Sequence, residues 1–204
     1  MTIALLVLDL QPAILAALPE GADREALPAR IAGAVADVRA HGGTIVHVRV
    51  GFTEDDWAAI PAANTSFAAI ARLRLLPDPD PATAHHALLA PEPGDISVRK
   101  TRHGAMSTTD LDRRLRDRGI TTLVVAGLST GGAVLSTVLD AADRDYRLYV
   151  LSDAVADPDA EAHDVLLRRV LPSRAQLIDT TELRALLEAE PTKDRDGITT
   201  HRAG

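Results

Sequence analysis

Two charged residues stand where apolar runs end. Ile3 to Leu8 is an unbroken apolar run, read as a buried strand, and Asp9 closes it, followed by Leu10-Gln11-Pro12. Asp95 to Arg99 (DISVR) reads as another short strand, and Lys100 follows it directly. A carboxyl and an ammonium at strand ends can move a proton and stabilise developing negative charge. A third stretch, Leu123 to Tyr146, reads LVVAGLSTGGAVLSTVLDAADRDY. It starts as a β-branched apolar run, passes through a small-residue turn from Gly127 to Gly132, and continues with Ala133, Val134, Val138, Ala141 and Ala142 at helical spacing. In an open parallel sheet, ligands bind outside the carboxyl ends of the strands. A helix start there offers unpaired N–H groups and partial positive charge to an anion or oxyanion. Each feature has a plainer reading: Asp9 as a helix cap, Lys100 as a surface lysine, the glycines as close-packing devices. The turn is no P-loop, since no Gly-Lys-Ser/Thr follows it. An aspartyl-phosphate phosphatase would carry a second aspartate where Gln11 stands.

These residues need elements to position them. Arg24 to His41 predicts a helix with Leu27, Ile31, Val35 and Val38 on one face, stopped by Gly42-Gly43. Thr44 to Val50 (TIVHVRV) predicts a second strand, with His47 and Arg49 alternating with valines. Thr109 to Arg118 predicts a charged helix closed by Gly119, and Arg147 to Leu151 a fifth strand with Ser152 to Asp157 as its exit loop. Helices over Glu161 to Val170 and Thr181 to Glu188 flank a short strand at Ala175 to Ile178. The alternation implies one doubly wound, six-stranded parallel α/β sheet with helices on both faces, a three-layer domain over residues 1–190. Residues 51–95 interrupt it with half of the chain's 12 prolines and with Phe52, Trp57 and Phe67. Such an insertion, regular only as a short helix near Ser66 to Leu73, reads as a lid, with Phe52 and Trp57 as substrate contacts or, equally, as part of a plain loop or dimer surface. His85 and His86 lie in it without a third ligand at metal spacing, so no metal site is expected. The polar stretch 191–204 is expected to be disordered.

Composition narrows the function further. The chain has 204 residues and a net charge of -7, which argues against nucleic acid or an anionic membrane surface as partner. The apolar start is too short for a signal peptide or membrane span, so a cytoplasmic protein is expected. Zero cysteines exclude disulfides, thiolate metal ligands and a thiol nucleophile.

Four motifs in order, LVLDLQ from Leu6, VRKTRHGAM from Val98, GLSTGGAVLSTVLDAADRDY from Gly127 and VLSDAVAD from Val150, resemble the isochorismatase-like hydrolases, also called cysteine hydrolases. The resemblance covers about residues 3–180. It implies the family's acidic residue at Asp9, its lysine at Lys100, a non-proline cis peptide after Leu128, and an oxyanion hole near Ser129 and residue 133. Gln11, Leu128, Ser129 and Gly132 are expected to contact the substrate, and the family's K-x-R pattern brings Arg102 beside Lys100. Arg49 and Arg102 are candidates for holding a substrate carboxylate, or are structural ion pairs. The resemblance also implies a homodimer or homotetramer, a small-molecule substrate and no required cofactor.

The chain departs from the family at its nucleophile. The family's cysteine maps to Ala133, and Tyr, Ser and Phe are usual where this chain has His103, Gly104 and Met106. Thiol-based amidase chemistry is therefore closed to it. Ser129, Thr130 and Ser136 are nearby hydroxyls outside the aligned position, and a hydroxyl needs an adjacent base. True isochorismatases need no thiol: an aspartate protonates the enol carbon of a vinyl ether and water adds to the oxocarbenium ion. Asp9 and Lys100 suit that chemistry on a vinyl ether or related enol substrate. The alternative is a catalytically silent small-molecule-binding or scaffold protein that kept the pocket.

Overall fold

The computed structural model describes residues 2–189, without the side chains of Ala22 and Asp23. Six strands, β1 (Ile3–Leu8), β2 (Thr44–Val50), β3 (Ile96–Lys100), β4 (Thr122–Leu128), β5 (Arg147–Ala156) and β6 (Gln176–Ile178), form one sheet in the order β3-β2-β1-β4-β5-β6. Every neighbouring pair is parallel. The strand order reverses between β1 and β4, which makes the ends of those two strands the switch point where a crevice opens. The expected tail from residue 191 lies outside the described residues.

Strand alternation divides the core in two. Ala4, Leu6 and Leu8 of β1 face one way and join Leu111 and Leu115 of α5 (Leu111–Asp117) and Val138 and Ala141 of α6 (Leu135–Ala142). Ile3, Leu5 and Val7 face the other way and join Leu27, Ile31, Val35 and Val38 of α2 (Ala22–Ala40) and Leu183 and Leu187 of α8 (Thr180–Ala189). The four α2 residues predicted to share a face are all buried. No described helix is long and apolar enough to cross a membrane.

Several boundaries differ from those expected of the sequence, two of them at the carboxyl edge of the sheet. β5 does not stop at Leu151 but runs on to Ala156. Its polar Ser152 and Asp153 suggested a loop, yet both are used inside the fold. The Ser152 hydroxyl donates to the Ile178 carbonyl at 3.2 Å, and the Asp153 carboxylate accepts from the Thr180 N–H at 3.0 Å and the Thr180 hydroxyl at 2.7 Å. An irregularity between Val125 and Gly127 shifts the β4–β5 register and lets the pairing resume at Val155 and Ala156. The helix expected from Ala133 begins instead as a wide π-turn over Thr130–Val134, and α6 proper starts at Leu135.

Segment 51–95 holds α3 (Glu54–Ala58) and α4 (Ala68–Leu73), besides short turns of 3-10 helix at Pro81–Thr83 and Ala87–Leu89. It has a small core of its own from Val50, Phe52, Ile60 and Phe67. Charges fasten it to the sheet edge. Arg49 of β2 pairs with Asp78 at 2.7 Å, while Arg99 of β3 pairs with Asp56 at 2.5 Å and with Asp78 at 3.3 Å. Two more short helices, α1 (Pro12–Leu15) and α7 (Ala160–Val165), frame the carboxyl edge after β1 and β5.

Candidate active site

Asp9 leaves β1 with φ at +49°, a left-handed conformation unusual for a residue with a side chain. Its N–H still reaches back to the Val48 carbonyl at 2.9 Å, extending the β1–β2 ladder by one residue. Lys100 ends β3, two strands away from β1, a lateral gap of about 9.6 Å at normal strand spacing. A long side chain has to span it. The Lys100 Nζ donates to Asp9 Oδ2 at 2.6 Å and to the Arg102 carbonyl at 3.1 Å. Asp9 is 5% exposed and Lys100 2%.

The charge pair is therefore enclosed. Burial pushes the Asp9 carboxyl up from an ordinary 3.8 to about 6, against the opposing charge and hydrogen bond of Lys100. The second carboxyl oxygen, Oδ1, has no hydrogen-bond partner among the described residues. A carboxyl with a value near 6 can both give and take a proton close to neutrality.

The turn from β4 completes the wall. Gly127 has φ at +116°, and a Cβ there would lie 2.0 Å from the Leu8 carbonyl oxygen. Only glycine lets β4 press against β1 at the switch point. The Leu128–Ser129 peptide is cis. Leu128 and Ala133 are buried, and Ala133 packs in the same cluster as Leu8 of β1 and Met106. At Gly132 a Cβ would meet the Ser129 Oγ at 2.8 Å and the His103 Nδ1 at 3.6 Å, so a side chain there would have to displace the serine hydroxyl. From outside, Asp157 accepts the Gly131 N–H at 2.7 Å, and His163 hydrogen-bonds the Thr130 hydroxyl at 2.8 Å.

The family model for the isochorismatase domain matches residues 3–182. The chain belongs to the isochorismatase family. It is 33% identical to the uncharacterized isochorismatase family protein YecD of Escherichia coli O157:H7, over 89% of this chain and 94% of that protein. It is 34% identical to the ureidoacrylate amidohydrolase RutB of Methylorubrum extorquens, over 80% of this chain and 71% of that one. Among solved structures, an isochorismatase family protein from Burkholderia thailandensis superposes with a TM-score of 0.79 at 29% identity, covering 92% of this chain and 96% of that chain. The N-carbamoylsarcosine amidase of Thermoplasma acidophilum superposes with a TM-score of 0.71 at 25% identity, covering 88% and 97%. The family and these relatives make the chain a hydrolase.

Not every residue singled out in the sequence joins this member's Asp9–Lys100 cluster. Gln11 is fully buried, but its amide is spent on backbone. Nε2 donates to the Val50 carbonyl at 2.8 Å and the Thr83 carbonyl at 2.6 Å, and Oε1 accepts from the Val50 N–H at 2.8 Å. It is a clamp joining the β1 exit, the end of β2 and the lid. Arg49 is a structural ion pair with Asp78. Phe52 is fully buried in the lid core, and half-buried Trp57 donates from Nε1 to the Leu75 carbonyl at 3.2 Å. Phe67 is the aromatic ring that meets the site. It lies 4.7 Å from the His103 ring and 5.3 Å from the Arg102 guanidinium. Arg102 forms no ion pair among the described residues; it donates to the Thr101 carbonyl at 2.5 Å.

His47 is a packed histidine, hydrogen-bonded to Asp95 at 3.1 Å. His85 stacks edge-on against it at 5.5 Å, and burial pushes the His85 imidazole down to about 4. Among the described residues no group of three or more His, Asp or Glu is placed to hold a metal ion. His103 is a site residue that sequence pattern alone does not single out, beyond its departure from the family's tyrosine. The available signal is its position three residues after Lys100.

Proposed function

We propose that this hydrolase acts on a small metabolite carrying a vinyl ether or related enol, with Asp9 as the proton carrier and Lys100 as its charge partner. The observation that carries the reading is the buried 2.6 Å pair, with the Asp9 carboxyl lifted to about 6 and one oxygen unbonded. About a tenth of the enzyme then holds the Asp9 proton at pH 7. That proton passes to the terminal enol carbon, and the ether oxygen stabilises the resulting oxocarbenium ion. Water adds to the cationic carbon and gives its proton back to Asp9. The hemiketal collapses to a ketone and an alcohol, so the sum is the substrate plus one water.

Ala133 supports this branch over amide cleavage through a thioester, because no thiol exists to form one. Arg102, resting on Phe67 without an ion pair among the described residues, is the cation available to a substrate carboxylate. A homodimer or homotetramer in the cytoplasm fits the family and belongs to the same proposal.

The test is a screen of vinyl ethers and of ureido and carbamoyl amides with the wild type and Asp9→Asn. Turnover of an enol ether that Asp9→Asn lowers about 100-fold or more supports the assignment. Equal turnover by both proteins refutes it. Binding that raises the melting temperature, with no turnover of any substrate, would instead make the chain a binding protein with a retained pocket.

A further inference from the structure

A second cavity, of about 470 Å³, lies between the start of α2, the end of β5 and α7, and none of Asp9, Lys100 or Ala133 lines it. Small-molecule sites span about 300 to 1,000 Å³, so this one has the room for a ligand. Its apolar wall comes from Leu18, Leu27 and Val155, all three buried. Arg24 and Arg30 of α2 line it as well, each three residues from Leu27 and so on the same helix face.

The hydrogen-bonding capacity left over in this lining is that of donors. The Asp153 carboxylate accepts from the Thr180 N–H and from the Thr180 hydroxyl. The Asp157 carboxylate accepts from the Gly131 N–H at 2.7 Å and from the Asp159 N–H at 3.1 Å. Glu20 is exposed at the rim, where water can solvate it. The arginines are used far less. Arg24 donates to the Leu18 carbonyl at 3.3 Å and Arg30 to the Asp153 carbonyl, whereas each guanidinium carries five N–H donors in a fork that fits a carboxylate.

We infer that this cavity binds a small aliphatic carboxylate, and that its occupancy steadies the π-turn of the active site. The carboxylate lies on Arg24 and Arg30, and the hydrocarbon lies on Leu18, Leu27 and Val155. Two further residues of the lining, Asp157 and His163, are the ones that hold the turn, through the Gly131 N–H and the Thr130 hydroxyl. Thr130 is fully buried, so the His163 bond enters the turn from behind. A ligand that orders this wall favours the turn in the form seen here. The cavity draws on neither Asp9 nor Lys100, so the inference stands apart from the enol-ether reading.

Calorimetric titration of the full chain with isocaproate tests the binding, with its uncharged amide and inorganic phosphate as controls. Isocaproate should bind with a Kd of about 1 mM or tighter. The amide and phosphate should each bind at least about tenfold more weakly, because one lacks the charge and the other the hydrocarbon. Arg24→Gln and Arg30→Gln should each cost about tenfold or more. Ala160→Trp, a change at an exposed lining position, should abolish binding by filling the cavity while the protein still melts cooperatively. Arg102→Gln should bind isocaproate as the wild type does. Hydrogen exchange read by mass spectrometry should slow in the peptide over 127–134 when isocaproate is bound. No binding, equal binding of the amide or phosphate, or binding that survives Ala160→Trp but is lost in Arg102→Gln overturns the site. Unchanged exchange in the turn at saturating isocaproate overturns its link to the active site.

Discussion

Replacing Asp9 by asparagine keeps the shape of the side chain and removes its titration. In the folded protein, burial holds this carboxyl at about 6, whereas an unfolded chain leaves it near the ordinary 3.8. The sign follows from proton counting. Between those values the folded state binds more protons than the unfolded state, so acid stabilises the fold through Asp9. That contribution is fully present below the unfolded value and is lost as pH rises through about 6. Integrated between about pH 4.5 and pH 7, it amounts to about 2 kcal/mol. Other carboxyls change stability over the same range, but they do so in both proteins and cancel in the difference. Urea unfolding of wild type and Asp9→Asn at both pH values isolates the Asp9 contribution. The gap, taken as wild-type stability minus that of Asp9→Asn, should be about 2 kcal/mol more positive at the acid pH than at the neutral pH. A gap that does not change, or that narrows in acid, would mean that Asp9 is held ionised by Lys100 and cannot carry the proton the proposed reaction needs.

Other outcomes follow from single contacts. Gly127→Ala forces a Cβ against the Leu8 carbonyl in a left-handed backbone, and should cost about 4 kcal/mol or more, read as loss of soluble protein or of the cooperative melt. Gln11→Ala removes three buried hydrogen bonds to Val50 and Thr83, about 3 kcal/mol in all, and should lower the melting temperature by about 6–12 °C. The same variant should speed tryptic cleavage at Arg72 and Arg74 in the lid; unchanged cleavage would show that the lid does not depend on this clamp. Ala133→Cys restores a thiol at the family's nucleophile position. Iodoacetamide alkylation with new hydrolysis of carbamoyl amides is expected, and an inert thiol would show that the turn no longer presents this position to ligands.

The sequence carried the fold because the strand signals were unambiguous. IALLVL and TIVHVRV are apolar enough to be buried on both faces, and their limits match β1 and β2. It also carried Asp9 and Lys100, since a charge directly after a buried run has to sit at a strand end, where the crevice of an open parallel sheet lies. It failed where polar residues serve the fold from inside. Ser152 and Asp153 resembled loop residues although they bond across to β6 and α8. Gln11 and Arg49 resembled ligand contacts although backbone and Asp78 absorb them. Nothing local announces such partners, which lie 26 to 72 residues away along the chain. The aromatic contact was misplaced for the same reason. Periodicity cannot say which of Phe52, Trp57 and Phe67 turns inward once an irregular segment folds over the strand ends.

The tight seam at Gly127 restricts how this enzyme could change its specificity. β1 and β4 are locked at that point by backbone meeting backbone, so no side-chain exchange can widen the floor of the crevice. New substrates have to be accommodated from above, through Phe67 and the loop carrying Arg102 and His103. Directed evolution that randomises those three positions should reach altered selectivity far sooner than libraries aimed at the strand ends beneath.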